Sequence, residues 1–123
     1  MAIKALIVDD NEAARQLVRN LWETLGYQVA AEADNLKSAV EAYQKLRPGL
    51  VFLDLALEHE DGLTILKGLL KIDAAAKVIV VSANSQDSMV QHLLKSGATA
   101  FLAKPFALEQ FKKTVDGALG PRI

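Results

Sequence analysis

Four short apolar runs, each ending on a charged or hydroxyl side chain, constrain this chain more than any other feature. They are Ala5-Leu6-Ile7-Val8, Leu50-Val51-Phe52-Leu53, Val78-Ile79-Val80-Val81 and Ala100-Phe101-Leu102-Ala103. Asp9-Asp10, Asp54, Ser82 and Lys104-Pro105 follow them in turn. The runs have strand length, and those before Asp54 and Ser82 lack the polar alternation of a half-solvated sheet, which predicts strands buried on both faces. In an open parallel sheet the ligand crevice lies at the carboxyl ends of the strands. Three carboxylates, a hydroxyl and an ammonium would therefore meet on one edge, a set suited to a divalent cation and a phosphoryl group held on an aspartate.

Between the runs the apolar spacing lengthens to three and four residues. Residues 11–25 carry Ala14, Leu17, Val18, Leu21 and Leu25 as one helical stripe, closed by Gly26, with Trp22 at the edge of the core. A weaker strand, 28–33, comes next. Asp34 or Asn35 can cap the following helix, which bears Leu36, Ala39, Val40, Tyr43 and Leu46 and stops at Pro48-Gly49. Past Asp54, the polar loop Glu58-His59-Glu60-Asp61 leads to Gly62 and a helix with Leu63, Leu66, Leu69, Leu70 and Ile72. A helix over 85–96 is closed by Gly97, and a last one after Pro105-Phe106 shows Leu108, Phe111, Val115 and Leu119. Five strands alternating with five helices predict an α/β fold: a doubly wound, five-stranded parallel sheet in the order 2-1-3-4-5. One domain would span 1–120, with 121–123 as a tail or linker stub.

A net charge of −1 offers no clustered positive field for nucleic acid. The absence of cysteine excludes disulfides and thiolate chemistry. The first residues have neither the apolar length of a signal peptide nor that of a membrane span, so a cytoplasmic protein is expected.

Each polar terminus has an ordinary structural reading as well. Asp10 or Asn11 could simply cap the first helix; together, though, Asp9 and Asp10 invite a hard cation such as Mg²⁺. Asp54 could be a loop-side carboxylate, but aspartate is depleted in strands and costly to bury without a partner. Lys104 could be solvated, yet it stands between an apolar strand and Pro105. Ser82 could be a turn residue, or could donate to a phosphoryl oxygen. His59 and His92 read as solvated, since neither has a second histidine at ligand spacing. The alignment of the four termini is more specific than any one of them.

With these segments in view, Val8-Asp9-Asp10, Phe52-Leu53-Asp54, Val80-Val81-Ser82-Ala83 and the stretch from Gly97 to Phe106 together resemble the response-regulator receiver domains of two-component signalling, end to end. The resemblance implies the flavodoxin-like, CheY-like form of the fold. It implies phosphorylation of Asp54 by a phosphohistidine donor, carried by a histidine kinase or a histidine phosphotransfer protein. It further implies Mg²⁺ on Asp10, Asp9, Asp54 and the backbone carbonyl of Ala56, with Lys104 pairing the phosphoryl group. Ser82 and Phe101 would form the switch that alters a surface for a downstream protein target or output domain, and the Lys104-Pro105 bond would be cis. Ala56 and Asn84 stand two residues after Asp54 and Ser82, and of the two only Asn84 has a side chain able to orient a hydrolytic water.

Three other readings compete. A pseudo-receiver would use the same fold for binding without phosphorylation, although all five expected side chains are present. An aspartate-nucleophile phosphohydrolase needs a second carboxylate where Ala56 stands. A flavodoxin-type FMN site needs a phosphate loop where Asp9-Asp10 stands. The chain also departs from the family pattern: Glu58 replaces a common proline, Gly49 a common aspartate, and Thr99 and Ala100 lack the acidic groups of one dimerising subfamily.

Overall fold

The computed structural model describes residues 3–54, 62–83 and 86–120. Five parallel strands, β1 (Lys4–Val8), β2 (Gln28–Ala33), β3 (Leu50–Asp54), β4 (Val78–Ser82) and β5 (Ala100–Ala103), form one sheet in the order β2-β1-β3-β4-β5. Helices α1 (Glu12–Thr24), α2 (Leu36–Leu46), α3 (Gly62–Ile72), α4 (Asp87–Lys95) and α5 (Leu108–Leu119) alternate with them. The expected fold class and strand order are both found. The order reverses between β1 and β3, so the ends carrying Asp9 and Asp54 flank the switch point where such sheets place their ligands.

Strand alternation divides the core. Val51, Leu53, Val78 and Val80 face one side, where they pack with Ala39 and Tyr43 of α2, Ile65, Leu66 and Leu69 of α3 and Leu93 of α4. Leu50, Phe52, Ile79 and Val81 face the other, against Val18 and Trp22 of α1 and Phe111 and Val115 of α5. Both central strands are buried along their whole length, as their unbroken apolar runs require.

Local signals place the helix ends. Asn11 caps α1 by accepting from the Ala14 N–H at 2.9 Å, and Asn35 caps α2 by accepting from Ser38 at 2.8 Å. Gly97, at φ +110°, turns the chain from α4 into β5, and a Cβ there would lie 2.5 Å from Leu70. Position and space both favour glycine.

Several core readings need correction. Trp22 is central to the core, fully buried, stacked on Tyr27 and edge-on to Phe52, with its indole N–H donating to the Gln28 carbonyl at 2.7 Å. Leu17, Leu46 and Leu108, expected on the buried stripes of their helices, are 51%, 45% and 40% exposed. The stripe of α1 runs through Val18 and Trp22, four residues apart, and Leu17 falls on its flank. In α3, Ile65 is a core residue that the leucine spacing did not single out.

Candidate functional site

Among the described residues, the buried polar or charged side chains are Asp9, Asp54 and Ser82, each at the carboxyl end of a strand. Every other strand position that reaches the interior is apolar. Because burying a carboxylate is costly, two of them on one edge of an otherwise apolar sheet mark a site rather than a packing choice.

Asp9 continues β1 by donating its N–H to the Ala33 carbonyl at 3.0 Å, and its Oδ1 accepts from the Asn11 N–H at 2.9 Å. Burial, with added repulsion from Asp54, pushes its carboxyl up to about 6, against the pull of the Asn11 bond and of Lys104. Asp10 is half-buried in the same turn. Since Asn11 serves as the helix cap, the turn does not need Asp10 for that purpose.

Asp54 closes β3 and Lys104 follows β5, with β4 lying between these strands. Lys104 Nζ nevertheless stands 3.3 Å from Asp54 Oδ2. The bond from the Lys104 N–H to the Ser82 carbonyl, at 2.9 Å, ties this residue to the end of β4. The Lys104-Pro105 peptide is cis, as the resemblance implied.

Asp9, Asp54 and Lys104 sit in one cleft of about 250 Å³, whose remaining walls include Leu17, Phe52, Pro105 and Phe106. The exposure of Leu17 makes it a wall of this cleft. Ser82 is held at the same edge, and alternation puts it on the face of Val78 and Val80. Phe101 lies on that face too, half-buried against the same cluster as Met89 of α4. Its partner across the ladder is Val80, while Ser82 pairs with Ala103. The two expected switch residues are therefore diagonal neighbours on one face of the sheet. Ala56, Glu58, His59 and Asn84 lie outside the described residues. His92 is an exposed residue of α4, in line with its reading as solvated.

The donor set is oxygen only, which suits a hard cation and neither zinc nor a soft metal. No group of three or more His, Cys, Asp or Glu side chains closes into a metal cage among the described residues. Mg²⁺ asks for less: one or two carboxylates, with waters and phosphate oxygens completing its shell. Two carboxylates that repel one another in a cleft open to solvent fit that ion.

Sequence reasoning missed Arg15. Its guanidinium donates to the Asp9 carbonyl at 2.6 Å and pairs with Glu32 of β2 at 3.2 Å. Neither contact has a periodic signature, because the partners are brought together only when β2 docks beside β1.

Residues 5–116 match the response regulator receiver domain family. The chemotaxis protein CheY of Thermotoga maritima is 41% identical over 106 residues, covering 86% of this chain and 88% of that protein. CheY of Bacillus subtilis is 38% identical over 119 residues, covering 97% of this chain and 99% of that protein. The crystal structure of a CheX–CheY–BeF3–Mg²⁺ complex from Borrelia burgdorferi superposes with a TM-score of 0.92 at 26% identity, over 97% of this chain and 90% of that one. Among the described residues, no helix is long and apolar enough to cross a membrane.

Proposed function

The chain belongs to the response regulator receiver domain family, and on that footing we propose that it accepts a phosphoryl group on Asp54 and thereby switches a protein-interaction surface. The observation that carries the reading is the buried Asp54 carboxylate, held 3.3 Å from Lys104 beside a second buried carboxylate, Asp9. A carboxylate oxygen of Asp54 attacks phosphorus, the bond from phosphorus to the donor's imidazole nitrogen breaks, and the nitrogen leaves with the electron pair. The difficulty is electrostatic, because a dianionic group is brought onto an anionic site. Positioned positive charge is the remedy, and Lys104 supplies it from the protein. Held by Asp10, Asp9, Asp54 and the Ala56 carbonyl, Mg²⁺ would supply further positive charge to the phosphoryl oxygens.

Readout falls to Ser82 and Phe101. Once Asp54 is modified, the Ser82 hydroxyl donates to a phosphoryl oxygen, and Phe101 packs toward the space this leaves. Their position on one face of neighbouring strands supports that coupling. A surface made by α4, β5 and α5 then changes for a downstream protein or output domain, a local charge event biasing a packed element. The donor would be a histidine kinase or a histidine phosphotransfer protein in the cytoplasm. The chain assists its own phosphorylation and dephosphorylation and is not otherwise an enzyme.

Phosphoramidate, a small donor with the same phosphorus–nitrogen bond, tests this reading. With Mg²⁺ it should phosphorylate the chain and leave an Asp54→Asn variant unmodified. Equal labelling of the two would refute it.

A further inference from the structure

The turn that presents Asp9 and Asp10 is held from behind. The Asp9 carbonyl belongs to the peptide joining the two aspartates, and it accepts from Arg15 Nη1 at 2.6 Å. On its other side, Arg15 Nε pairs with Glu32 Oε1 at 3.2 Å, and Arg19 takes Glu32 Oε2 at 2.6 Å. The Arg15 side chain is only 18% exposed. A planar guanidinium can serve both partners from one rigid fork, whereas an ammonium on a flexible stem cannot hold the same two directions.

We propose that Arg15, anchored by Glu32 of the edge strand, is a positioning residue that fixes the Asp9–Asp10 peptide plane and so sets the affinity of this acidic pair for a divalent cation. The inference rests on the phosphoacceptor reading of the site, since it supposes that the pair binds Mg²⁺. The Asp9 N–H is held by Ala33 and its Oδ1 by Asn11, and the Arg15 bond to the carbonyl adds a further hold on this turn. The direction in which Asp10 leaves the backbone depends on that plane. Loss of a residue that orients a metal ligand from outside typically costs about 10–100-fold in affinity.

Charge alone argues the opposite sign, which makes the idea testable. A guanidinium beside two carboxylates repels a cation, so its removal should tighten Mg²⁺ binding if repulsion were its main effect. Positioning requires the reverse, and a similar loss from Arg15→Lys, which keeps the charge but not the fork.

The experiment is Mg²⁺ titration of the metal-free chain, followed by calorimetry and by the amide shifts of Asp10 and Asn11, in Arg15→Lys, Arg15→Ala, Glu32→Ala and the Arg15→Ala/Glu32→Ala double variant. Arg15→Lys and Arg15→Ala should each weaken binding by about tenfold, the lower end for outer partners of metal ligands. Glu32→Ala should weaken it less, and not at all in the Arg15→Ala background, because its effect passes through Arg15. Native affinity in Arg15→Lys, tighter binding in Arg15→Ala, or lower thermal stability with unchanged affinity would each overturn the proposal. If Arg15→Ala does not fold, Arg15→Lys decides alone. Failure of the unsubstituted chain to bind Mg²⁺ would instead overturn the reading of the site itself.

Discussion

Lys104 Nζ and Asp54 Oδ2 lie 3.3 Å apart although the two residues follow strands that do not pair. The lysine reaches across the end of β4, whose Ser82 carbonyl holds its backbone. One cation is thus aimed at the single buried carboxylate of β3.

Removing that cation has two expected consequences. Lys104→Ala should slow phosphorylation by phosphoramidate by about 10²-fold, the scale on which loss of one oriented charge-stabilising group is felt. It should lower metal-free stability by only about 1 kcal/mol, because Lys104 is a third exposed and its pairing is screened by solvent. Initial rates and urea unfolding measure the two, and an unchanged rate would remove Lys104 from the chemistry.

Asp9 gives the fold a pH dependence of defined sign. Its carboxyl rises from 3.8 to about 6 on folding, so the folded chain binds this proton more tightly than the unfolded one. Its contribution to stability therefore falls as pH rises through that window and stays low above it. At pH ~7.5 without metal, Asp9→Asn should be the more stable protein, by on the order of 1–3 kcal/mol. The gain should vanish only below about pH 3, where the carboxyl of the unsubstituted chain is protonated in both the folded and the unfolded state. Millimolar Mg²⁺ should narrow the gap at neutral pH by stabilising only the native chain. Urea midpoints at both pH values, with and without Mg²⁺, decide it; an Asn variant no more stable at neutral pH would contradict the assignment.

The switch should be confined in space. Phe101 and Met89 each pack against the core cluster on the α2-α3-α4 side of the sheet, and Trp22 lies on the α1-α5 side. Beryllofluoride with Mg²⁺ should move amide resonances over residues 83–95 and 101–111 and leave α1 and the Trp22 indole nearly unchanged. Phe101→Ala should retain binding of the mimic but lose the shifts in α4. Shifts limited to the neighbours of Asp54 would mean that the site is modified without altering a surface.

The parts of this molecule written as short-range patterns were legible before any coordinates. The strand runs came from periodicity, the sheet order from crossover handedness, and Asp9, Asp54 and Lys104 from their places at strand ends, while capping chemistry gave Gly97 and narrowed two helix starts to Asp10 or Asn11 and to Asp34 or Asn35, of which the asparagines are the caps. Misreadings arose where one residue of rotation decides the outcome. Leu17 and Trp22 occupy one helix, and only its docking on Phe52 settles which of them is buried. The grip of Arg15 on the Asp9 carbonyl was not legible, because its anchor, Glu32, lies on another element and carries no spacing signal.

The central claim is that Asp54 receives the phosphoryl group. Intact-mass spectrometry after incubation with acetyl phosphate and Mg²⁺ tests it most directly. The account predicts one added phosphoryl group, stable in acid and labile in base, dependent on Mg²⁺ and absent from Asp54→Asn. A stable adduct of the same mass on Asp54→Asn, or labelling indifferent to Mg²⁺, would contradict it.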